Sequence, residues 1–78
     1  MSATPQHALV TGGAGGIGSA ICRRLARAGM FVHVQVREAR DESAALVREL
    51  QQIGAGAQLL AFDLTDAQAC EQALGRVL

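Results

Sequence analysis

Seventy-eight residues, half of them apolar, suit one small domain or part of a larger one and exclude a disordered or fibrous chain. Seven arginines balance seven acids with no basic tract, so neither nucleic acid nor a membrane surface is indicated as a partner. No segment is long enough to span a bilayer, and Met1-Ser2-Ala3-Thr4-Pro5-Gln6 lacks the charged and apolar regions of a secretory signal.

The first strand is expected over His7 to Thr11, with Ala8-Leu9-Val10 suited to a buried strand. A helix should run from Gly16 to Ala28, with Gly29 at the usual place of a helix C-terminal glycine. The second strand is Phe31-Val32-His33-Val34-Gln35-Val36. Its valines fall on one face and His33 and Gln35 on the other, which predicts that the second face is only partly covered. After a polar connection from Arg37 to Arg40, a second helix starts near Asp41, read as its cap, and buries Leu46, Val47, Leu50 and Ile53. Gly54-Ala55-Gly56 ends it, and the third strand is Gln58 to Asp63. Thr65-Asp66-Ala67-Gln68 has the form of a capping box in which Thr65 and Gln68 each satisfy an orphan N–H. Cys70, Ala73, Leu74 and Val77 supply the apolar face of a third helix.

Alternating strands and helices imply parallel strands joined by right-handed crossovers. The fold class is α/β, a partial Rossmann fold in β-α-β-α-β-α order with strands arranged 3-2-1 and the rest of the sheet missing. Residues 1–78 thus read as the N-terminal part of a single dinucleotide-binding domain, cut in or soon after the third helix. Cys22 and Cys70, far apart in expected helices, read as buried reduced thiols in a cytoplasmic protein.

Thr11-Gly12-Gly13-Ala14-Gly15-Gly16-Ile17-Gly18 lies between the first strand and the first helix. There a glycine cluster leaves backbone open to a ligand, while the helix directs unpaired N–H groups and the positive end of its dipole at an anion. Gly12 permits the tight turn, Gly16 the approach of a pyrophosphate, and Gly18 close packing of the helix on the sheet. A flexible structural loop is the plain alternative.

At Thr11, Gly12, Gly16 and Gly18 the chain resembles the short-chain dehydrogenase/reductase family, whose cofactor motif Thr-Gly-x-x-x-Gly-x-Gly it matches in full. Asp63-Leu64-Thr65-Asp66 is similar to a second landmark of that family. The resemblance implies that the Asp63 carboxylate accepts from the adenine amino group while the Leu64 backbone lies beside the ring. The alternative makes Asp63 a strand-end turn residue. Ala8-Leu9-Val10-Thr11-Gly12 with Ile17-Gly18 looks most like the 3-oxoacyl-carrier-protein reductase branch. For an intact parent protein the resemblance implies carbonyl reduction of a small-molecule or acyl-carrier substrate, and a homo-oligomer.

The cofactor-binding candidates are therefore Gly12, Gly15, Gly16, Ile17, Gly18, Arg37, Asp63 and Leu64. An acid at the end of the second strand would select NAD through its ribose hydroxyl; Val36-Arg37, with Arg40 nearby, favours NADP(H). Glu38 would favour a hydroxyl instead, Gly15 stands where many NADP-using relatives carry a basic residue, and solvated loop charges are the alternative for both arginines. No catalytic or metal-ligating residue is assigned: His7 and His33 read as structural, and Ser19 as a packing or capping residue. The chain contains no lysine, tyrosine, asparagine or tryptophan. The proton donor of the family mechanism, a tyrosine assisted by lysine, serine and asparagine, must come from beyond Leu78. A nucleotide-binding module without catalysis, or a degenerate fragment, is the alternative function. A methyltransferase is disfavoured by Val36-Arg37, and a P-loop NTPase is excluded by the lack of a lysine.

Overall fold

The computed structural model describes residues 6–77, the side chains of 74, 76 and 77 excepted. The signal reading of Met1–Pro5 and the expected apolar roles of Leu74 and Val77 lie outside the described residues. The elements are β1 (His7–Thr11), α1 (Gly16–Arg27), β2 (Phe31–Val36), α2 (Asp41–Ile53), β3 (Gly56–Ala61) and α3 (Ala67–Val77). All three strands are parallel, in spatial order β1-β2-β3, which is the expected 3-2-1 arrangement.

Strand alternation explains the core. Val32, Val34 and Val36 of β2 share one face with Val10 and Ala57, and this face is closed by Cys22 and Ala26 of α1 and by Leu46, Val47 and Leu50 of α2. Leu50, Val32, Val34 and Cys22 are fully buried, each of the branched side chains contributing about 1.5–3 kcal/mol. The reversal after α1 is made by Gly29 in the left-handed region, at φ 86°, with its N–H bonded to the Ala26 carbonyl. On the opposite face, Ala69 and Ala73 of α3 share a cleft with Leu60 of β3.

That opposite face departs from expectation at β2. His33 and Gln35 are buried, although His7, Leu9 and Thr11 beside them on β1 are exposed. Neighbouring side chains on the same face pack on His33, and the backbone of Gly12 and Phe62 holds the Gln35 amide. The rings of His7, Phe31 and His33 lie 4.9–5.0 Å apart, and Gln58 Nε2 stands 2.8 Å from His33 Nδ1. Leu9, expected in a buried strand, is 37% exposed because β1 is the edge of this sheet. Ile53, at helical spacing with the core leucines, also ends up exposed at the last turn of α2.

Several boundaries shift, and α1 ends one residue early, at Arg27. β3 begins at Gly56 and ends at Ala61, because Gly56 already pairs with Phe31 at the foot of β2. Asp41 is the first helical residue of α2 rather than its cap; Arg40 holds that place, and Ser43 Oγ accepts the Arg40 N–H at 2.8 Å. At α3 the cap is Asp66, whose Oδ1 accepts the Ala69 N–H at 3.1 Å. Thr65 is drawn away from the helix because its N–H and hydroxyl both donate to Asp63 Oδ1. Cys22 is buried as expected, whereas Cys70 is only partly so; both are free thiols.

Candidate functional site

Parallel strands put all their C-terminal ends on one side of the sheet, and the loops that follow them meet there. The loop after β1 turns at Gly12, whose φ of 62° is the left-handed region that glycine adopts without strain. Its next residue packs inward: a Cβ on Gly13 would lie 2.8 Å from Val34 Cγ1 and 3.3 Å from Cys22 Sγ. The Cys22 thiol faces the Gly13 carbonyl, and burial pushes its pKa up, so it stays a protonated donor.

α1 then starts with Gly15 at its cap position. No side chain caps this end, and no acid stands in the first turn. A Cβ on Gly16 would meet nothing within 4 Å, and Ile17 is 82% exposed. The opening of α1 is therefore an accessible, positively polarised row of amides able to receive an anion. Gly18 differs from its expected role. A Cβ there would fall 2.5 Å from the Gly12 carbonyl oxygen, so its close approach is to the loop rather than to the sheet. Ser19 Oγ donates to the Gly16 carbonyl, a local role in the first turn.

The other candidates flank this opening. Arg37, just past β2, is exposed and divides two grooves. The first, of about 350 Å³, is lined by Ala14, Val36, Arg37, Glu38, Arg40, Glu42 and Ser43. The second, of about 380 Å³, is lined by Thr11, Gly12, Gln35, Arg37, Asp63 and Leu64. Arg37 Nη2 stands 3.7 Å from Asp63 Oδ2, while Arg40 turns to Glu38 at 3.6 Å. The two hydrogen bonds from Thr65, with the Arg37 charge beyond them, hold the Asp63 carboxyl below its usual range. Asp63 is thus an ionised acceptor with one oxygen committed to Thr65 and the other facing Arg37.

Gln35 is the residue that reading by sequence missed. Its Oε1 accepts the Gly12 N–H at 2.9 Å, and its Nε2 donates to the Phe62 carbonyl at 2.8 Å. The only signal available was a polar residue amid the valines of β2. Gly13 leaves no such signal, since its contacts with Val34 and Gln35 lie across the fold. His7 opens β1 and His33 sits midway along β2, away from the strand ends that carry these loops, and neither lines the two grooves. Among the described residues, no group of His, Cys, Asp and Glu could hold a metal ion, and no helix is long and apolar enough to cross a membrane.

Comparison with known proteins places relatives on this architecture. The family profile described as short chain dehydrogenase matches residues 6–78. The 3-oxoacyl-[acyl-carrier-protein] reductase FabG of Aggregatibacter actinomycetemcomitans is 39% identical over 57 residues, 73% of this chain and 24% of that protein. A metagenomic short-chain oxidoreductase in complex with NADP superposes with a TM-score of 0.85 at 36% identity, over 94% of this chain and 33% of its own. The 3-oxoacyl-[acyl-carrier protein] reductase of Brucella melitensis in complex with NAD gives 0.84 at 34% identity, over 99% of this chain and 29% of its own. The chain thus spans between a quarter and a third of the length of these relatives.

Proposed function

Because the chain belongs to the short-chain dehydrogenase family, we propose that it forms the NADP(H)-binding N-terminal portion of a carbonyl reductase, with 3-oxoacyl thioesters as its substrate class. The cofactor supplies the hydride; everything this chain contributes is binding and orientation. The amides of Gly16, Ile17 and Gly18 at the start of α1 take the pyrophosphate, with Gly15 at the cap donating its own N–H to the Gly12 carbonyl and Gly12 making the turn that exposes them. The uncapped, acid-free first turn and the open space at Gly16 support this fit. Asp63 and the Leu64 backbone form the adenine wall of the second groove. The tyrosine and lysine of the family mechanism have no candidate in this sequence, so proton transfer belongs to residues outside it.

The observation that carries the choice of cofactor is the position of Arg37 between the two grooves. A 2′-phosphate next to the adenine ribose would meet its guanidinium, and Asp63 alongside keeps that cation near the groove mouth. Relatives that hold NADP and NAD both share this fold, so side-chain chemistry has to decide. The protein is expected to bind NADPH more tightly than NADH. Arg37→Ala should weaken NADPH by about 1.5–3 kcal/mol and leave NADH nearly unchanged. Calorimetric titration of both cofactors into both proteins tests this; equal affinities in the unaltered protein reject the NADP reading.

A nucleotide-binding module without catalysis is the second reading, favoured by the absence of tyrosine and lysine from these residues. It predicts that even the longer protein carrying this chain binds the cofactor without oxidising NADPH in the presence of 3-oxoacyl thioesters.

A further inference from the structure

Gln35 lies on the central strand, between the two structures that the proposed dinucleotide must touch together. It is only 3% exposed, and it lines the floor of the groove formed by Thr11, Gly12, Arg37, Asp63 and Leu64. Its side-chain oxygen takes the Gly12 N–H, its backbone carbonyl takes the Gly13 N–H at 3.0 Å, and its side-chain nitrogen reaches the Phe62 carbonyl. Phe62 is the residue before Asp63, and it lies one place beyond the end of β3. Its N–H bonds the Val36 carbonyl, so the chain is held there by two neighbouring residues of β2.

At Thr11↔Gln35 the ladder between β1 and β2 ends, and beyond it the glycine loop leaves the sheet. Without a side chain to receive it, the Gly12 N–H would be an unpaired donor at a part-buried position. With Gln35, the loop and the Asp63 wall are tied to opposite ends of one planar amide. The span between them is then set by the width of that amide. The same bond commits the Gly12 N–H, so the amides left to receive an anion are those at the start of α1.

Resting on the reading of this site as a dinucleotide site, we infer that Gln35 is a positioning residue that sets the distance between the pyrophosphate loop and the adenine wall. Its effect belongs to ligands that touch both. Adenosine 2′-monophosphate reaches the wall and Arg37 but not the loop, whereas NADPH engages all three. In Gln35→Met, which keeps length and burial but makes neither bond, NADPH affinity should fall about tenfold and that of adenosine 2′-monophosphate by less than about threefold.

Calorimetry with both ligands, on unaltered and Gln35→Met protein of matched circular dichroism, reads this split. Equal losses for both ligands would mean that Gln35 merely supports the groove or touches adenine itself, and unchanged NADPH affinity would remove any role; either overturns the inference. Unaltered protein that binds neither ligand overturns the nucleotide reading and the inference with it. Hydrogen exchange on the unaltered, ligand-free protein keeps the test independent of how the variant folds. The Gly12 amide should exchange at least about tenfold more slowly than the Gly16 amide. Exchange at the same rate shows that the clamp is not closed and overturns the inference.

Discussion

Among the glycines of the loop, two that look alike in sequence do different things. Gly16 has open space where a Cβ would stand, whereas at Gly18 that atom would fall 2.5 Å from the Gly12 carbonyl oxygen, which is backbone and does not yield easily. Gly18→Ala should therefore destabilise the protein by about 1–3 kcal/mol, the range for overpacking. Gly16→Val should leave the melting temperature within a few degrees of the original, because the fold has room for it, and abolish dinucleotide binding by obstructing the approach to the amides. Thermal melts paired with NADPH titrations separate the two effects. Normal cofactor affinity in folded Gly16→Val would remove this loop from the phosphate site.

Elements show a similar division between what is local and what is supplied from elsewhere. α1 buries Cys22, the thiol expected to be enclosed, together with Ala26, and α2 buries Leu46, Val47 and Leu50 as expected. Their caps were harder to read. Asp66 takes the role assigned to Thr65 because Asp63 offers Thr65 a nearer acceptor. On the far face of the sheet, Gln58 donates to His33 Nδ1 at 2.8 Å, so the neutral His33 carries its proton on Nε2, 2.7 Å from His7 Nδ1. A second proton on His33 would put two donors face to face. Burial, with the His7 charge adding to it, holds the His33 pKa below its ordinary value.

The sign follows from linkage. Below about pH 6.5 the unfolded chain takes a proton that folded His33 resists, so stability falls as pH drops through that value toward the folded pKa, and is level above it. Urea midpoints measured from about pH 8 to about pH 5 should show this slope, and His33→Gln, which keeps polar partners but does not titrate, should flatten it. A slope unaltered by the substitution would assign the pH dependence to other groups.

For the molecule as a whole, the weak point is β1. Its outer edge pairs with no strand among the described residues, and Leu9 on it is 37% exposed. A chain of this length buries only about 60% of its unfolded surface, leaving a small margin over chain entropy. The 78-residue chain by itself is expected to associate through that edge and to melt without a sharp transition, so melting temperatures, urea midpoints and ligand titrations are read on the longer protein that the proposed function implies. Size exclusion with light scattering checks this, and a monodisperse monomer with a cooperative melt would contradict it.

The order of strands and helices and the glycine turn were legible from the sequence because each rests on near neighbours in the chain; the parallel sheet followed from the alternation of those elements, and the family from the glycine motif. Apolar periodicity separates Val32, Val34 and Val36 from Leu46 and Leu50, and glycines mark the turns between them. What the tertiary structure decided was which polar residues would be enclosed, and by whom. The partners of Gln35 are 23 and 27 residues away, those of His33 are 26 and 25, and the start of β3 was fixed by Gly56 meeting Phe31. Such contacts depend on the register between strands, which brings distant residues within hydrogen-bonding reach and leaves no periodic trace in either segment.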